Sequence, residues 1–282
     1  MNSRFLFLFN LVLSFAPVWA FVPPISVALK ANFEGRKPGA FETVFRHQIL
    51  LKTGETLSVE ERFTKLNGKV YVIFKSPVYG DFGATWGKTG YQFTSDKKIA
   101  SRSQAFMVYF TANQADVFRE VLIDEKLAKR DQFIQYKSSF APEGDPAQWD
   151  LNENLLVQPA LSFARTPVGP SIVAVGLEEG TSRKAVFFEK NTLILSRLEW
   201  KNDKEVTAWN FSQPQKFSGG GTFPKDLFFQ VDGREIIRSQ VISRTLLDEK
   251  NKKQWLSRFS NLAKNSLNES FEDALRILLG YR

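Results

Sequence analysis

The 282-residue chain contains no cysteine, which excludes a disulfide framework, a thiolate metal site and a cysteine nucleophile. Its 38 basic and 30 acidic residues give a net charge of +8, a moderate excess spread along the chain. That charge suits anionic lipid headgroups or other acidic partners, and no nucleic-acid recognition module accompanies it. The 27 Phe and 6 Trp must fill a core or line something.

The first 20 residues carry the three parts of a secretory signal. Arg4 is the only charge of a short n-region, Phe5 to Phe15 is an apolar run broken by Asn10 and Ser14, and Pro17-Val18-Trp19-Ala20 is a small-residue exit. A membrane-spanning helix needs about 20 apolar residues. This run is nearer half that and meets a proline, so residues 1–20 are expected to be a signal peptide cleaved after Ala20. The rest of the chain, at a net charge of +7 without Arg4, offers no stable membrane span and no cysteine to lipidate.

From Phe41 the pattern is that of successive strands. Phe41 to Leu51 leads into the turn Lys52-Thr53-Gly54-Glu55. Leu57, Val59 and Phe63 then alternate with polar residues, the period of a half-buried strand. Asn67-Gly68 marks a tight hairpin, and Val70, Val72 and Phe74 continue one face. Strands are expected at Phe82 to Trp86 and Tyr91 to Thr94, split by the turn Gly87 to Gly90.

A helix is predicted over Thr111 to Lys129, from Val117, Phe118, Val121 and Leu122 at helical spacing and from the capping-box spacing of Thr111 and Gln114. Residues 131–170, with Pro142, Pro146, Pro159, Pro167 and Pro170, form an irregular excursion of the length that often serves as a cover. A second meander follows through Ile172 to Gly176, Lys184 to Glu189, Leu193 to Trp200, Val206 to Phe211, Leu227 to Val231 and Ile236 to Leu247. Gly219 to Gly221 is expected to be a flexible break. After Asp248 the chain turns helical, with Trp255, Phe259 and Leu262 in one stripe and a last helix over Ser270 to Leu279.

Two strand blocks cannot each bury a sheet face alone, because a sheet needs a partner layer. The expected fold is mainly β (α+β): one strongly curved antiparallel sheet, an incomplete β-barrel, with helices covering the concave side. The expected organisation is a half-barrel binding domain over 21–249, a helical cover at about 111–170, and C-terminal helices over 250–282 packed on the same domain.

No catalytic residue, metal ligand or cofactor site emerges, and a non-enzymatic role is expected. His47 is the only histidine and has no second ligand or nucleophile to serve, so a structural or surface role is expected for it. Glu60 and Glu61 alternate across a strand, as do Glu178 and Glu179, so neither pair could act on one bond. Nucleophile elbows, phosphate loops and metal helices are missing from the sequence. The aromatic and aliphatic positions remain. Leu57, Val59, Phe63, Val70, Val72 and Phe74 define one apolar face in the first block. Phe187, Ile194, Leu198, Trp200, Trp209, Phe211, Leu227 and Phe229 could continue it in the second, making an apolar cavity suited to an acyl chain. Taken singly, each of these residues is better read as plain core; it is the set that points to a cavity.

The cleaved signal, the hairpins at Gly54 and Asn67-Gly68, the central helical cover and the segment Thr222-Phe223-Pro224-Lys225-Asp226-Leu227-Phe228-Phe229 together resemble the LolA/LolB-type lipoprotein carriers of the bacterial envelope. The resemblance implies a periplasmic half-barrel with a helical lid that shelters lipoprotein acyl chains during transport, handing them to an envelope receptor or transporter. One departure stands out. Where those carriers have an arginine-proline pair, this chain reads Phe74-Lys75-Ser76-Pro77, so no lid-latching arginine is carried over. The competing expectation is a non-catalytic assembly or adaptor protein that binds another envelope protein through its C-terminal helices.

Overall fold

The computed structural model describes residues 25–133, 171–218, 220–262, 267–280 and 282. The signal segment and the expected cover beyond residue 133 lie outside the described residues. Among the described residues, no helix is long and apolar enough to cross a membrane.

Among the described residues, twelve strands form one antiparallel sheet. They are β1 (Phe41–Leu50), β2 (Thr56–Leu66), β3 (Lys69–Ser76), β4 (Gly80–Gly87), β5 (Gly90–Phe93), β6 (Lys98–Ala100), β7 (Ser171–Glu179), β8 (Ser182–Glu189), β9 (Leu195–Lys201), β10 (Val206–Lys216), β11 (Thr222–Val231) and β12 (Arg234–Leu246). Their order is β6-β5-β4-β3-β2-β1-β12-β11-β10-β9-β8-β7. Each half is a simple meander, and the halves join where β1 pairs with β12, Phe45 opposite Val241 and His47 opposite Ser239. The sheet does not close on itself, so it is an incomplete barrel. The hairpin turns follow their sequence signals: Asn67 and Gly68 both take positive φ, 50° and 77°, as a two-residue turn of this kind requires.

Because side chains alternate along a strand, one face of the sheet gathers the apolar residues. That concave face holds four helices: α1 (Ile25–Phe33), α2 (Ala105–Thr111), α3 (Ala115–Asp124) and α5 (Glu269–Gly280). Sheet and helices share one core in which Phe63, Phe74, Phe106, Phe118, Trp209, Phe229 and Phe271 are all buried. The remaining helix, α4 (Glu249–Ser260), lies on the opposite, convex face, against Leu66, Tyr71 and Ile73. Trp255 of α4 donates its indole N–H to Glu42 at 3.0 Å, and Phe259 meets Tyr71 edge-on. Gly83 in β4 makes room for this helix, since a Cβ there would stand 2.8 Å from Leu262 Cδ1.

Sequence and structure part company over the helices. The single helix expected over Thr111 to Lys129 is two: α2 ends at Thr111, and α3 begins at Ala115 and stops at Asp124, with Lys126 at φ 57°. Thr111 does not cap α3; its hydroxyl donates back to Met107 O at 2.7 Å. At α5 the first turn is held by Asn268, whose Oδ1 accepts from Ser270 N at 3.0 Å. Gly220 and Gly221 also serve a purpose other than a flexible break. A Cβ on Gly220 would sit 2.6 Å from Gly35 O, and one on Gly221 would sit 2.6 Å from Arg36 Cγ. Glycine there permits close backbone approach.

Candidate ligand-binding interior

Twelve of the fourteen expected cavity residues lie on the concave face. Val59, Phe63, Val70, Val72, Phe74, Leu198, Trp209, Phe211, Leu227 and Phe229 are buried in one cluster, and Leu57 and Trp200 pack half-buried against it. Phe187 does not join them. It points to the convex face, opposite Val173 in β7, in a small separate cluster with Val173 and Ala185. Ile194 precedes β9 and lines a shallow groove with Ser171, Phe211 and Pro224. The strand expected from Leu193 begins only at Leu195, because Leu193 takes a positive φ of 60°.

The space in front of this face is filled by α2. Ala105, Phe106, Met107, Val108, Tyr109 and Phe110 are all buried, so the helix is apolar all round, as a helix must be inside a core. Phe106 lies 4.7 Å from Trp209, Phe110 is edge-on to Phe45 at 5.0 Å, and Tyr109 reaches Phe118 and Phe211. The helix is a plug.

Two buried arginines hold its C-terminal end. Arg36, just after α1, is sandwiched between the Phe33 and Phe223 rings at 3.8 and 4.1 Å. Its Nη1 donates to Tyr109 O and to Ala112 O, at 2.5 and 3.1 Å, and its Nε donates to Asn32 O at 2.9 Å. Arg244, from β12, donates from Nη1 to Phe110 O at 3.0 Å and to Thr43 Oγ1 at 2.8 Å. Cations at this end complement the helix dipole and satisfy carbonyls that have no partner within the helix. Burial lowers the Arg36 pKa to about 10. Burial and then the nearby Arg36 charge lower that of Arg244 to about 9. Both therefore stay charged at neutral pH. Asn32 completes the tether: its Oδ1 accepts from the Tyr109 hydroxyl and from Leu195 N, linking α1, α2 and β9.

Arg244 faces inward because β12 bulges. Phe45 pairs with Val241 but Val44 pairs with Ser243, so Ile242 is an extra residue that flips the face of everything after it. Strict alternation from Ile237, Ser239 and Val241 would have put Arg244 outside.

A second polar group lies on the same face, between the plug and the β1–β2 strands. His47, Glu61 and Arg282 are each fully buried. Glu61 Oε2 accepts from His47 Nε2 at 2.8 Å and from Arg282 Nη1 at 2.5 Å, and His47 Nδ1 meets Ser239 Oγ at 2.7 Å. This network assigns the neutral tautomer with Nε2–H donating to Glu61 and Nδ1 accepting from Ser239. Burial pushes the His47 pKa down to about 4, and the Arg282 charge adds to that fall. Burial alone would raise the Glu61 pKa, but Arg282 and the His47 hydrogen bond outweigh it and hold the carboxyl below its usual range. The Arg282 guanidinium stacks over Phe106 at 4.3 Å, and its backbone carbonyl accepts from Ser103 N at 2.8 Å. Arg282 thus packs against the first residues of α2. Sequence reasoning picked out none of Arg36, Glu61, Arg244 or Arg282 as site residues, and only a lone buried charge on an otherwise apolar face could have signalled Glu61.

His47 and Glu61 are sealed from solvent, and among the described residues no group of His, Asp or Glu could hold a metal ion.

No family model matches the chain, and no curated protein matches it in sequence. Solved structures do resemble it. A LolA superfamily protein from Nitrosomonas europaea, 8% identical, aligns over 82% of this chain and 96% of its own, with a TM-score of 0.36. A domain from Vibrio parahaemolyticus assigned to outer membrane lipoprotein sorting is 11% identical over the same shares, with a TM-score of 0.39. A chain of the MucA/MucB complex of Pseudomonas aeruginosa is 12% identical over 86% of this chain and 63% of its own, with a TM-score of 0.27. At these scores the chain is similar to them in broad outline, and no residue correspondence follows.

Proposed function

We propose that this chain is an exported, non-catalytic carrier of the bacterial envelope, a divergent relative of the LolA-type carriers, which shelters the acyl chains of lipids or lipoproteins against its concave face. The signal-like residues 1–20 direct it to the periplasm in this reading, and α2 occupies the acyl site when no cargo is bound. The observation that carries the reading is the plug: a short helix whose first six residues are all apolar and buried, held against a wide apolar face by charged tethers at one end.

The magnitudes suit exchange. Burying five large side chains of α2 is worth roughly 8–15 kcal/mol at about 1.5–3 kcal/mol each. A sixteen-carbon chain gains about 12 kcal/mol at about 0.8 kcal/mol per methylene. Plug and cargo are close to balanced, as reversible loading requires. The competing adaptor reading is weakened by the C-terminal helices themselves, because α4 and α5 bury their apolar stripes on their own sheet.

The test is titration of the full chain with a fluorescent fatty acid, followed by amide exchange of residues 105–112. Stoichiometric binding with loss of protection in that segment is expected. No binding, with protection there unchanged, refutes the reading.

A further inference from the structure

A cleft of about 210 Å³ opens beside the plug, between the sheet and α2. Its apolar walls are Val70 and Trp86 from the sheet, Val108 and Ala112 from the end of α2, and Val117 from α3, which stays 43% exposed at the mouth. Lys65, near the end of β2, and Lys88, in the turn that joins β4 to β5, stand on its rim. A second groove, of about 600 Å³, lies at the same end of the sheet on its convex face, lined by Lys69, Tyr71 and Lys98. No Asp or Glu lines either hollow. The nearest carboxylate on the α3 side, Asp116, already pairs with Arg119 at 2.9 Å. The Trp86 indole nitrogen is buried and finds no acceptor among the described residues.

A cleft with largely apolar walls, set against the plug helix and carrying lysines at its rim, is complementary to a molecule with a negative head and a hydrocarbon tail. We infer that the cargo is an anionic single-chain amphiphile, its headgroup held at Lys65 and Lys88 and its tail passing Trp86 and Val108 under α2. This rests on the acyl-binding reading above and narrows it to a charge class. The two lysines set a positive field at the mouth. Carboxylate and phosphate heads share this chemistry.

The experiment compares palmitate, palmitoyl lysophosphatidate and neutral monopalmitoylglycerol, each below its micelle concentration, on the full chain and on the Lys65→Gln/Lys88→Gln double variant. Both lysines are exposed, so the variant keeps the fold. The two anions should bind about tenfold more tightly than the neutral lipid at low salt. That preference should vanish in the double variant and in 1 M salt, where the screening length falls to about 3 Å, while neutral-lipid affinity stays the same. If phosphate binds better than carboxylate, the head is a lipid phosphate; the reverse order indicates a fatty acid. Equal affinity for neutral and anionic lipids, or a preference that survives in the double variant, overturns the inference and leaves acyl binding standing. Failure of all three lipids to bind sinks the carrier reading itself. Inorganic phosphate binding as tightly as the lipids would leave an anion site with no role for a tail, and also overturns the inference.

Discussion

Lowering the pH from 7.5 to 5 should cost the folded chain about 2 kcal/mol through one side chain, His47. In the unfolded chain its imidazole takes a proton near pH 6.5, whereas burial holds the folded pKa at about 4. The unfolded state therefore binds more protons across this window, and stability falls as the pH falls. At pH 5 the unfolded imidazole is almost wholly charged and the folded one about a tenth charged. The ratio of the two binding polynomials is about 30, worth roughly 2 kcal/mol. Glu61 does not blur the window. Its depressed pKa contributes stability that is present above its unfolded value near 4.5 and is lost only at lower pH. Glu125, whose carboxyl burial raises, acts in the opposite sense, but equally in any His47 variant. The assay is urea unfolding followed by tryptophan fluorescence at both pH values, for the native chain and for His47→Gln. The stability gap between them should move by about 2 kcal/mol in favour of the variant on going to pH 5. Parallel pH profiles would refute the reasoning. Should the variant not fold, the native chain still answers, because its single histidine gives one set of imidazole resonances, which must remain unprotonated at pH 5.5.

Replacing Arg244 by Leu removes the bonds to Phe110 O and Thr43 Oγ1, and should cost on the order of 1–3 kcal/mol while speeding amide exchange at the end of α2; unchanged exchange at residues 108–112 would show that the plug is held by packing alone. Gly176→Ala should destabilise more than Gly83→Ala, which should cost about 1–3 kcal/mol. At Gly176 the added methyl meets a backbone carbonyl, Lys126 O, at 2.2 Å, whereas at Gly83 it meets the flexible end of Leu262. Melting temperatures in the reverse order would contradict the argument.

The strands were legible because their signals are local. Alternation at Leu57, Val59 and Phe63, or at Val70, Val72 and Phe74, is the pleat itself, and Asn67-Gly68 can hardly be anything but a turn. The plug was not legible. Ala-Phe-Met-Val-Tyr-Phe has no polar face, so its period cannot be read, and a short apolar run of this kind fits a buried strand equally well. The capping-box spacing of Thr111 and Gln114 then drew one helix across a break. Arg244 was hidden by a one-residue bulge, and the joining of Arg282 to Glu61 across most of the chain leaves no mark in any window of sequence. Two residues of the expected lining were misplaced: Ile194, because the positive φ at Leu193 comes just before it, and Phe187, because β8 buries both its faces, Val186 and Phe188 on one side, Ala185 and Phe187 on the other.

The pairing of β1 with β12 sets the order of events as the chain emerges. Each meander can zip up from neighbouring hairpins, but the central seam joins the first strand made to the last, nearly 200 residues later. Until β12 arrives, β1 presents an open edge, the kind of surface on which chains stick to one another. Bringing such distant partners together is slow. Assembly should therefore end with the mating of two ready-made halves, and the nascent protein would depend on holdases to keep that first edge from finding another copy of itself.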